Sequence, residues 1–309
     1  MKDKLLVILG PTATGKSKLG ITLAQKLRGE IISADAFLVY KGMDIGTAKP
    51  SKEELAQTKH HLIDILTPNE TYSAAIFQKL AKQLIRDLNQ ANILPILVGG
   101  TGLYIQSLLE GYEFPPVRED AHLRGELAGF AEEFGNNALH ARLRELSPDS
   151  AARIHPNNRR RVIRALEVSA NMPGVSGRKQ TEQIYDAKVF GLSMPRATLY
   201  ERINQRVDTM FANGLIDEVK KLIAREATRQ SIALRGIGYK EVIDCIDGKH
   251  TIETCKQLVA RNTRRFAKRQ FTWYNKMPYI NWLSVENTVN RELLANNIYG
   301  ELVEWRKLV

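Results

Sequence analysis

The sequence predicts an α/β protein: a mostly parallel sheet with helices on both faces, carrying a helical insertion. Three observations predict it. A short apolar run, Leu5–Leu9, leads at once into a glycine-punctuated loop, Gly10–Ser17, and then into a helical pattern with Leu19, Leu23 and Leu27 on one stripe. Apolar runs and helix-period segments alternate through the first hundred residues, as crossover connections in a parallel sheet require. After Phe114-Pro115-Pro116 the composition changes: from Asp120 to about Ala170 there are helix patterns, several arginines and few β-branched runs.

The loop Gly10, Pro11, Thr12, Ala13, Thr14, Gly15, Lys16, Ser17 fits G-x-x-x-x-G-K-[ST] at every fixed position, between a strand and a helix. This makes the expected architecture P-loop NTPase-like. The two glycines let the backbone wrap an anion, and the helix N-terminus adds positive potential. Lys16 brings a full charge to outer phosphate oxygens, and the Ser17 hydroxyl can hold Mg²⁺. Such a loop reports a polyphosphate but not which bond breaks.

Along the chain, Glu30–Asp35 reads as a second strand ending in a carboxylate. Ligands gather beyond the carboxyl ends of parallel strands, so Asp35 is expected on the rim that carries the loop. Tyr40–Pro50 is glycine-punctuated loop, and His60–Leu66 is a third apolar run. Ser73 is a candidate N-cap for a helix with Ile76, Leu80, Leu84 and Leu88 on one stripe. Ile93–Val98 is a buried strand running into Gly99-Gly100-Thr101-Gly102, with a helix from Leu103. Asn171–Gly177 is a turn-rich break, Ala187–Leu192 returns to the sheet, and the rest is largely helical from Leu199. The expected division is a core of residues 1–113 and 187–309, with an insertion of residues 114–186.

At 309 residues, 43% hydrophobic and 26% charged, the composition is that of a globular protein. No apolar run approaches the roughly 20 residues that span a bilayer, so no membrane partner is expected. The N-terminus shows no secretory signal. Cys245 and Cys255 have neither metal spacing nor a disulfide framework, which suits a reducing cytoplasm. A monomer is expected. His60 and His61 lack metal spacing and read as structural. Lys plus Arg is 45 against 34 for Asp plus Glu, a formal charge of +11 that suggests a polyanionic partner.

Two runs concentrate that charge. In Arg153–Arg164, Pro156 and the asparagines start a helix; Arg160, Arg161 and Arg164 fall on one face, with Val162 and Leu166 turned away. In Arg261–Gln270, the residues Arg261, Arg264, Arg265, Lys268 and Arg269 follow i, i+3, i+4, i+7, i+8 and form one stripe. Stacked like charges repel, and a nucleic-acid backbone would relieve the repulsion. Phe266, Phe271, Trp273 and Tyr274 lie beside them, a composition that favours nucleic acid over a merely solvated face.

With these residues in place, the chain resembles the bacterial tRNA dimethylallyltransferases. The matching stretches are Gly10–Ser17, Glu30–Asp35, Val39-Tyr40, Gly42–Pro50, His60–Leu66, Leu94–Tyr104, Ala151–Val168, Leu199–Val207, Gly236–Glu241 and Arg261–Tyr274. They span nearly the whole chain in order. Ile31–Asp35 and Met43–Pro50 are more specific than the phosphate loop.

The resemblance implies transfer of a dimethylallyl group from dimethylallyl diphosphate to the N6 amine of the adenosine 3′-adjacent to the anticodon. It implies that the loop holds the donor's diphosphate, that Asp35 is the base, and that Arg235 helps hold the diphosphate. It implies contact with the tRNA anticodon stem-loop by Asp35, Ala36, Phe37 and Leu38, by Thr101, by Arg160, Arg161, Val162, Ile163 and Arg164, and by Arg264, Arg265, Phe266, Ala267, Lys268 and Arg269. Departures are clear. Ala36 and Leu38 stand where the family usually has serine and glutamine, and Leu38 cannot hydrogen-bond a base edge. Thr14 replaces a common valine.

The chemistry asks for a clamp on the leaving diphosphate and an acceptor for the amine proton. Lys16, Ser17, the loop amides, Mg²⁺ and Arg235 are expected as the clamp. The target base must leave its stack to reach them. Asp35 could instead cap a turn or lie in the Mg²⁺ sphere, and Thr101 could be a helix N-cap. Two other functions stand beside this one. An ATP-dependent small-molecule kinase would need an acid after a strand, but Ile96-Leu97-Val98 is followed by Gly99-Gly100. An RNA-binding protein with a vestigial loop would bind tRNA and form no product.

Overall fold

The computed structural model describes residues 2–117, 119–172, 183–224, 231–285 and 291–307, and these divide into two compact units, 1–110 with 182–309 and 111–181. The larger unit is built on six strands: β1 (Lys4–Leu9), β2 (Gly29–Ala34), β3 (His60–His61), β4 (Leu94–Gly99), β5 (Asp186–Ser193) and β6 (Asn281–Ser284). They pair in the order β3-β2-β4-β1-β5-β6, all parallel. From β1 the chain winds one way to β2 and β3, and from β4 it winds the other way to β5 and β6. The C-terminal end of β1 therefore lies where the winding reverses, the position at which open α/β sheets bind ligands.

Side-chain alternation gives each face its own core. Leu5, Val7 and Leu9 face one way, and Leu6 and Ile8 the other; all five are fully buried. The Leu6 face is covered by α1 (Lys16–Leu27), through Leu19, Leu23 and Leu27. The short α2 (Lys52–Ala56) precedes β3, and on the Leu5 face α3 (Ala74–Gln90) packs through Phe77, Ala81 and Ile85. The Ser73 side chain accepts the Ile76 N–H, so the expected N-cap forms. The short α4 (Gly102–Leu109) follows β4 on the same face.

The run His60–Leu66 contributes just two strand residues. Leu62 and Asp64 adopt φ of 62° and 54°, which turns the chain out of extended pairing. The two histidines are tied locally: His60 Nδ1 lies 2.8 Å from the Thr58 carbonyl and His61 Nε2 2.6 Å from a Glu30 carboxylate oxygen.

The smaller unit is helical: α5 (Ala121–Glu133), α6 (Gly135–Leu146), α7 (Pro148–Arg153) and α8 (Arg159–Asn171). Its own core is Leu127, Leu139, Leu143, Val162, Ile163 and Leu166. The boundaries lie a few residues before those expected at 114 and 187, because Ile184 still bonds Leu109 and β5 begins at Asp186. The larger unit resumes with β5, then α9 (Arg196–Ala212), α10 (Leu215–Ala224), a 3₁₀ turn (Ala233–Arg235), α11 (Tyr239–Ile246), α12 (Ile252–Tyr274), β6 and α13 (Arg291–Lys307). Among the described residues, no helix is long and apolar enough to cross a membrane.

Candidate functional site: the phosphate loop and its rim

Gly15, with φ of 89°, ends the loop and opens α1. The loop is braced from both ends of the sequence. Thr14 Oγ1 donates to the Pro11 carbonyl at 2.8 Å. The Thr12 N–H donates to Gln270 Oε1 at 3.0 Å, and Gln270 Nε2 donates to the Gly100 carbonyl at 2.8 Å. Tyr274 Oη donates to the same carbonyl at 2.7 Å. One buried face of α12 thus ties the phosphate loop to the glycine turn after β4. Glycine is required in that turn for space: a Cβ on Gly100 would lie 2.6 Å from Gln270 Nε2, and one on Gly102 2.5 Å from the Trp273 ring.

Lys16 is half-buried at the start of α1, and its ammonium pKa is pulled down to about 8. Loss of water is the main cause and the nearby Arg206 adds to it, while Asp35 opposes both. A bound dianion would push the value up again, so binding above about pH 8 takes up a proton. Arg206, from α9, donates to Thr12 Oγ1 at 3.2 Å, and burial lowers its own pKa. Two cations are held half-buried at one loop, an arrangement that a polyphosphate relieves.

Asp35 follows β2 directly, half-buried. Its Oδ1 accepts the Phe37 N–H at 2.8 Å and the Leu38 N–H at 3.3 Å, so one oxygen does cap a turn. Oδ2 has no hydrogen-bond partner among the described residues. The carboxylate lies within Coulombic reach of Lys16, Tyr104 and Tyr274; burial and that charge hold both phenols above their ordinary pKa. Thr101 joins this rim through its backbone: its N–H donates to the Ala34 carbonyl at 3.2 Å. It occupies the N-cap position of α4, but its hydroxyl makes no capping bond. The 3₁₀ turn leaves Arg235 exposed, and the following Gly236 packs on the Phe37 ring.

The other expected positions separate into presented and interior residues. Ala36 and Phe37 pack partly against the core, and Leu38, half-buried, accepts Asp64 N–H through its carbonyl. Arg160 and Arg161 are exposed, whereas Val162 and Ile163 fill the small unit's core. Arg164 leaves the face expected for it. It pairs with the buried Glu167 and donates to the Val117 carbonyl at 2.9 Å, because that carboxylate needs more than one donor. On α12, Arg265, Lys268 and Arg269 are exposed and Phe266 is half-buried. Ala267 is fully buried. Arg264 donates to Asn204 and lies 5.9 Å from the Tyr200 ring centre.

Sequence reasoning missed Arg206 and Gln270, whose roles depend on contacts 194 and 258 residues away. It also missed Glu218, a buried acid in the first turn of α10. Glu218 accepts the N–H groups of Asp44, Ile45 and Gly46 and the Tyr239 hydroxyl, and so fixes the Met43–Pro50 loop. Among the described residues no cluster of three His, Cys, Asp or Glu side chains could hold a metal. Any Mg²⁺ here would rely on Ser17, whose hydroxyl stands in the first turn of α1, and on phosphate and water.

A family model described as "IPP transferase" matches residues 38–277. The chain is 47% identical to a tRNA dimethylallyltransferase of Carboxydothermus hydrogenoformans, covering 91% of this chain and 92% of that protein. It is 48% identical to one from Geobacillus thermodenitrificans, covering 98% of each. Among solved structures, the full-length tRNA isopentenylpyrophosphate transferase of Bacillus halodurans superposes with a TM-score of 0.73 at 44% identity, covering 99% of both chains. A eukaryotic dimethylallyltransferase acting on tRNA reaches 0.76 at 27% identity, covering 97% of this chain and 80% of that one. The family model spans most of the chain and the relatives extend the similarity over nearly all of it, so this chain belongs to the IPP transferase family.

Proposed function

We infer that this protein transfers a dimethylallyl group from dimethylallyl diphosphate to the N6 amine of an adenosine in tRNA, the one 3′-adjacent to the anticodon. The observation that carries the reading is the pairing of a desolvated phosphate loop with a half-free carboxylate: Lys16 and Asp35 share one rim and feel each other's charge. Curated relatives at 44–48% identity over nearly their full length support the same activity.

The residues divide the work as follows. The loop N–H groups, Lys16 and Arg206 hold the diphosphate, and Arg235 reaches it from the 3₁₀ turn. Ser17 would hold Mg²⁺, which supplies further neutralisation of the leaving group when bound. The C1–O bond to diphosphate breaks as N6 of adenine bonds C1. The N6 proton passes to Asp35 Oδ2, while the Phe37 and Leu38 N–H groups keep Oδ1 in place. Products are N6-dimethylallyladenosine and diphosphate, with the proton on Asp35 then lost to water. The exposed cations of α12, and Arg160 and Arg161 on α8, offer the phosphate backbone its counter-charge.

The test is single-turnover transfer at saturating tRNA and dimethylallyl diphosphate, with mass analysis of nucleosides. The wild type should form the prenylated adenosine without ATP. Asp35→Asn should slow transfer by roughly 10²–10⁴ with little change in tRNA affinity. Transfer by the Asn variant within a few-fold of wild type removes the base assignment. Recovery at high Mg²⁺ moves the residue to the metal. A wild type that turns over ATP without tRNA overturns the whole reading in favour of a kinase.

A further inference from the structure

We propose that Phe37 is a positioning residue for Asp35: its ring, seated on the backbone of Gly236, holds the turn that captures one carboxylate oxygen and leaves the other open. The inference rests on the reading of Asp35 as the proton acceptor. Phe37 is committed at three points. Its N–H donates to Asp35 Oδ1 at 2.8 Å, and its carbonyl accepts the Tyr40 N–H at 3.1 Å. Its half-buried ring lies against Gly236, where a Cβ would come 2.8 Å from Cε1 and 3.1 Å from Cζ. With the ring seated, the Phe37 backbone keeps its N–H aimed at Oδ1.

Glycine serves here for room and not for conformation. Gly236 has φ of −60° and ψ of 153°, a backbone that any residue adopts. The seat is also firm. Ala233 and Leu234 before it are buried in the core, and the Gly236 N–H donates to the Ala233 carbonyl at 3.2 Å. After it, the Tyr239 hydroxyl donates to Glu218 at 2.7 Å, and a Cβ on Gly46 would lie 2.5 Å from the Tyr239 ring.

The other side of the turn is pinned as well. The Leu38 carbonyl accepts the Asp64 N–H at 3.1 Å, and the Val39 carbonyl accepts the Ile65 N–H at 2.9 Å. A methyl group added at position 236 therefore meets the ring between two held segments, and the displacement passes to the turn that carries Asp35. Arg235 adjoins the seat. The same contact thus couples the turn of the proton acceptor to the segment whose cation is assigned above to the diphosphate.

The test reads single-turnover transfer and tRNA affinity on the whole protein. Gly236→Ala should slow transfer by about 10- to 100-fold and leave tRNA affinity within about twofold. Adding Phe37→Met, whose flexible chain yields to the new methyl, should restore most of the rate. Phe37→Ala removes the ring without crowding the seat, and it should slow transfer about tenfold with tRNA affinity kept, even if Gly236→Ala fails to fold. In the Asp35→Asn background neither change should slow transfer much further, because both act through that carboxylate. A loss of full size in that background overturns the proposal, as does a Gly236→Ala defect that methionine leaves unrelieved. Weakened tRNA binding by Phe37→Ala overturns it in favour of a ring that touches RNA. Asp35→Asn transferring at the wild-type rate removes the proton acceptor itself, a separate failure that shows before either position is changed.

Discussion

The two arginine-rich helices look alike as sequence and differ as structure. On α8, Arg164 pairs with Glu167, whose side chain is fully buried and also holds Arg124 of α5, and Arg159 reaches Glu132. On α12, Arg261, Arg265, Lys268 and Arg269 face solvent with no ion-pair partner among the described residues. The helices also differ behind the charges. The back of α8 fills its own unit's core, whereas the back of α12 carries Gln270 and Tyr274 onto the phosphate loop and the Gly100 turn. A charge run thus holds two kinds of arginine. One kind neutralises a buried acid; the other has no ion-pair partner among the described residues and keeps its charge toward solvent.

The largest expected effect comes from cutting the inward set. Burial alone would raise the Glu167 pKa, but hydrogen bonds from Arg124, the Asp120 N–H and Arg164 outweigh it and leave the pKa depressed. Glu167→Gln should cost the small unit about 3–5 kcal/mol, the usual result of breaking a buried charge network. The three tryptophans, Trp273, Trp282 and Trp305, all lie in the larger unit. Far-UV circular dichroism should therefore report the loss ahead of tryptophan fluorescence. A depressed pKa gives stability that is complete above the ordinary glutamate range and lost as pH falls through the folded-state value. The wild-type helical unit should accordingly weaken in acid, and Glu167→Gln should flatten that dependence. Coincident, unshifted unfolding would erase the contrast between the helices.

The next effect sharpens the contrast from the back of α12. Gln270→Ala leaves the Thr12 N–H without its acceptor in a part-buried site, worth about 1–3 kcal/mol. KM for dimethylallyl diphosphate should rise between about 5- and 100-fold, with the salt dependence of tRNA binding unchanged. On the front of the same helix, the triple replacement of Arg264, Arg265 and Lys268 by alanine should do the reverse. The log–log slope of tRNA affinity against salt should fall by about 0.9 for each phosphate deprived of its cation, with stability held within about 0.5 kcal/mol. A KM effect from the front, or a slope effect from the back, would show that the two faces are not separate.

The sheet was legible because buried parallel strands write themselves as apolar runs, and the phosphate loop because its spacing is local. Asp35 was legible for the same reason, since a strand end lies on the rim wherever the strand goes. What escaped was non-local. Nothing near Gln270 says that it will reach Thr12, and nothing near Arg206 says that it will sit beside Lys16. Helical periodicity placed Arg164 with Arg160 and Arg161, but periodicity carries no knowledge of a buried acid three residues on.

The smallest effect decides how much of α8 belongs to the outward kind. Arg160 and Arg161 are exposed and make no ion pair among the described residues, while Arg159 and Arg164 on either side are committed inward. Replacing both by alanine removes two charges and no ion pair, so far-UV circular dichroism and the unfolding midpoint should not move. If both meet phosphates, the salt slope of tRNA binding should fall by just under two units, less than for the α12 triple. Arg164→Ala is the control: it should shift unfolding and leave the slope unchanged, since its guanidinium is already occupied. If the double variant leaves the slope at its wild-type value, α8 serves the fold of its own unit, and the α12 stripe carries the outward-facing charge that the tRNA reads.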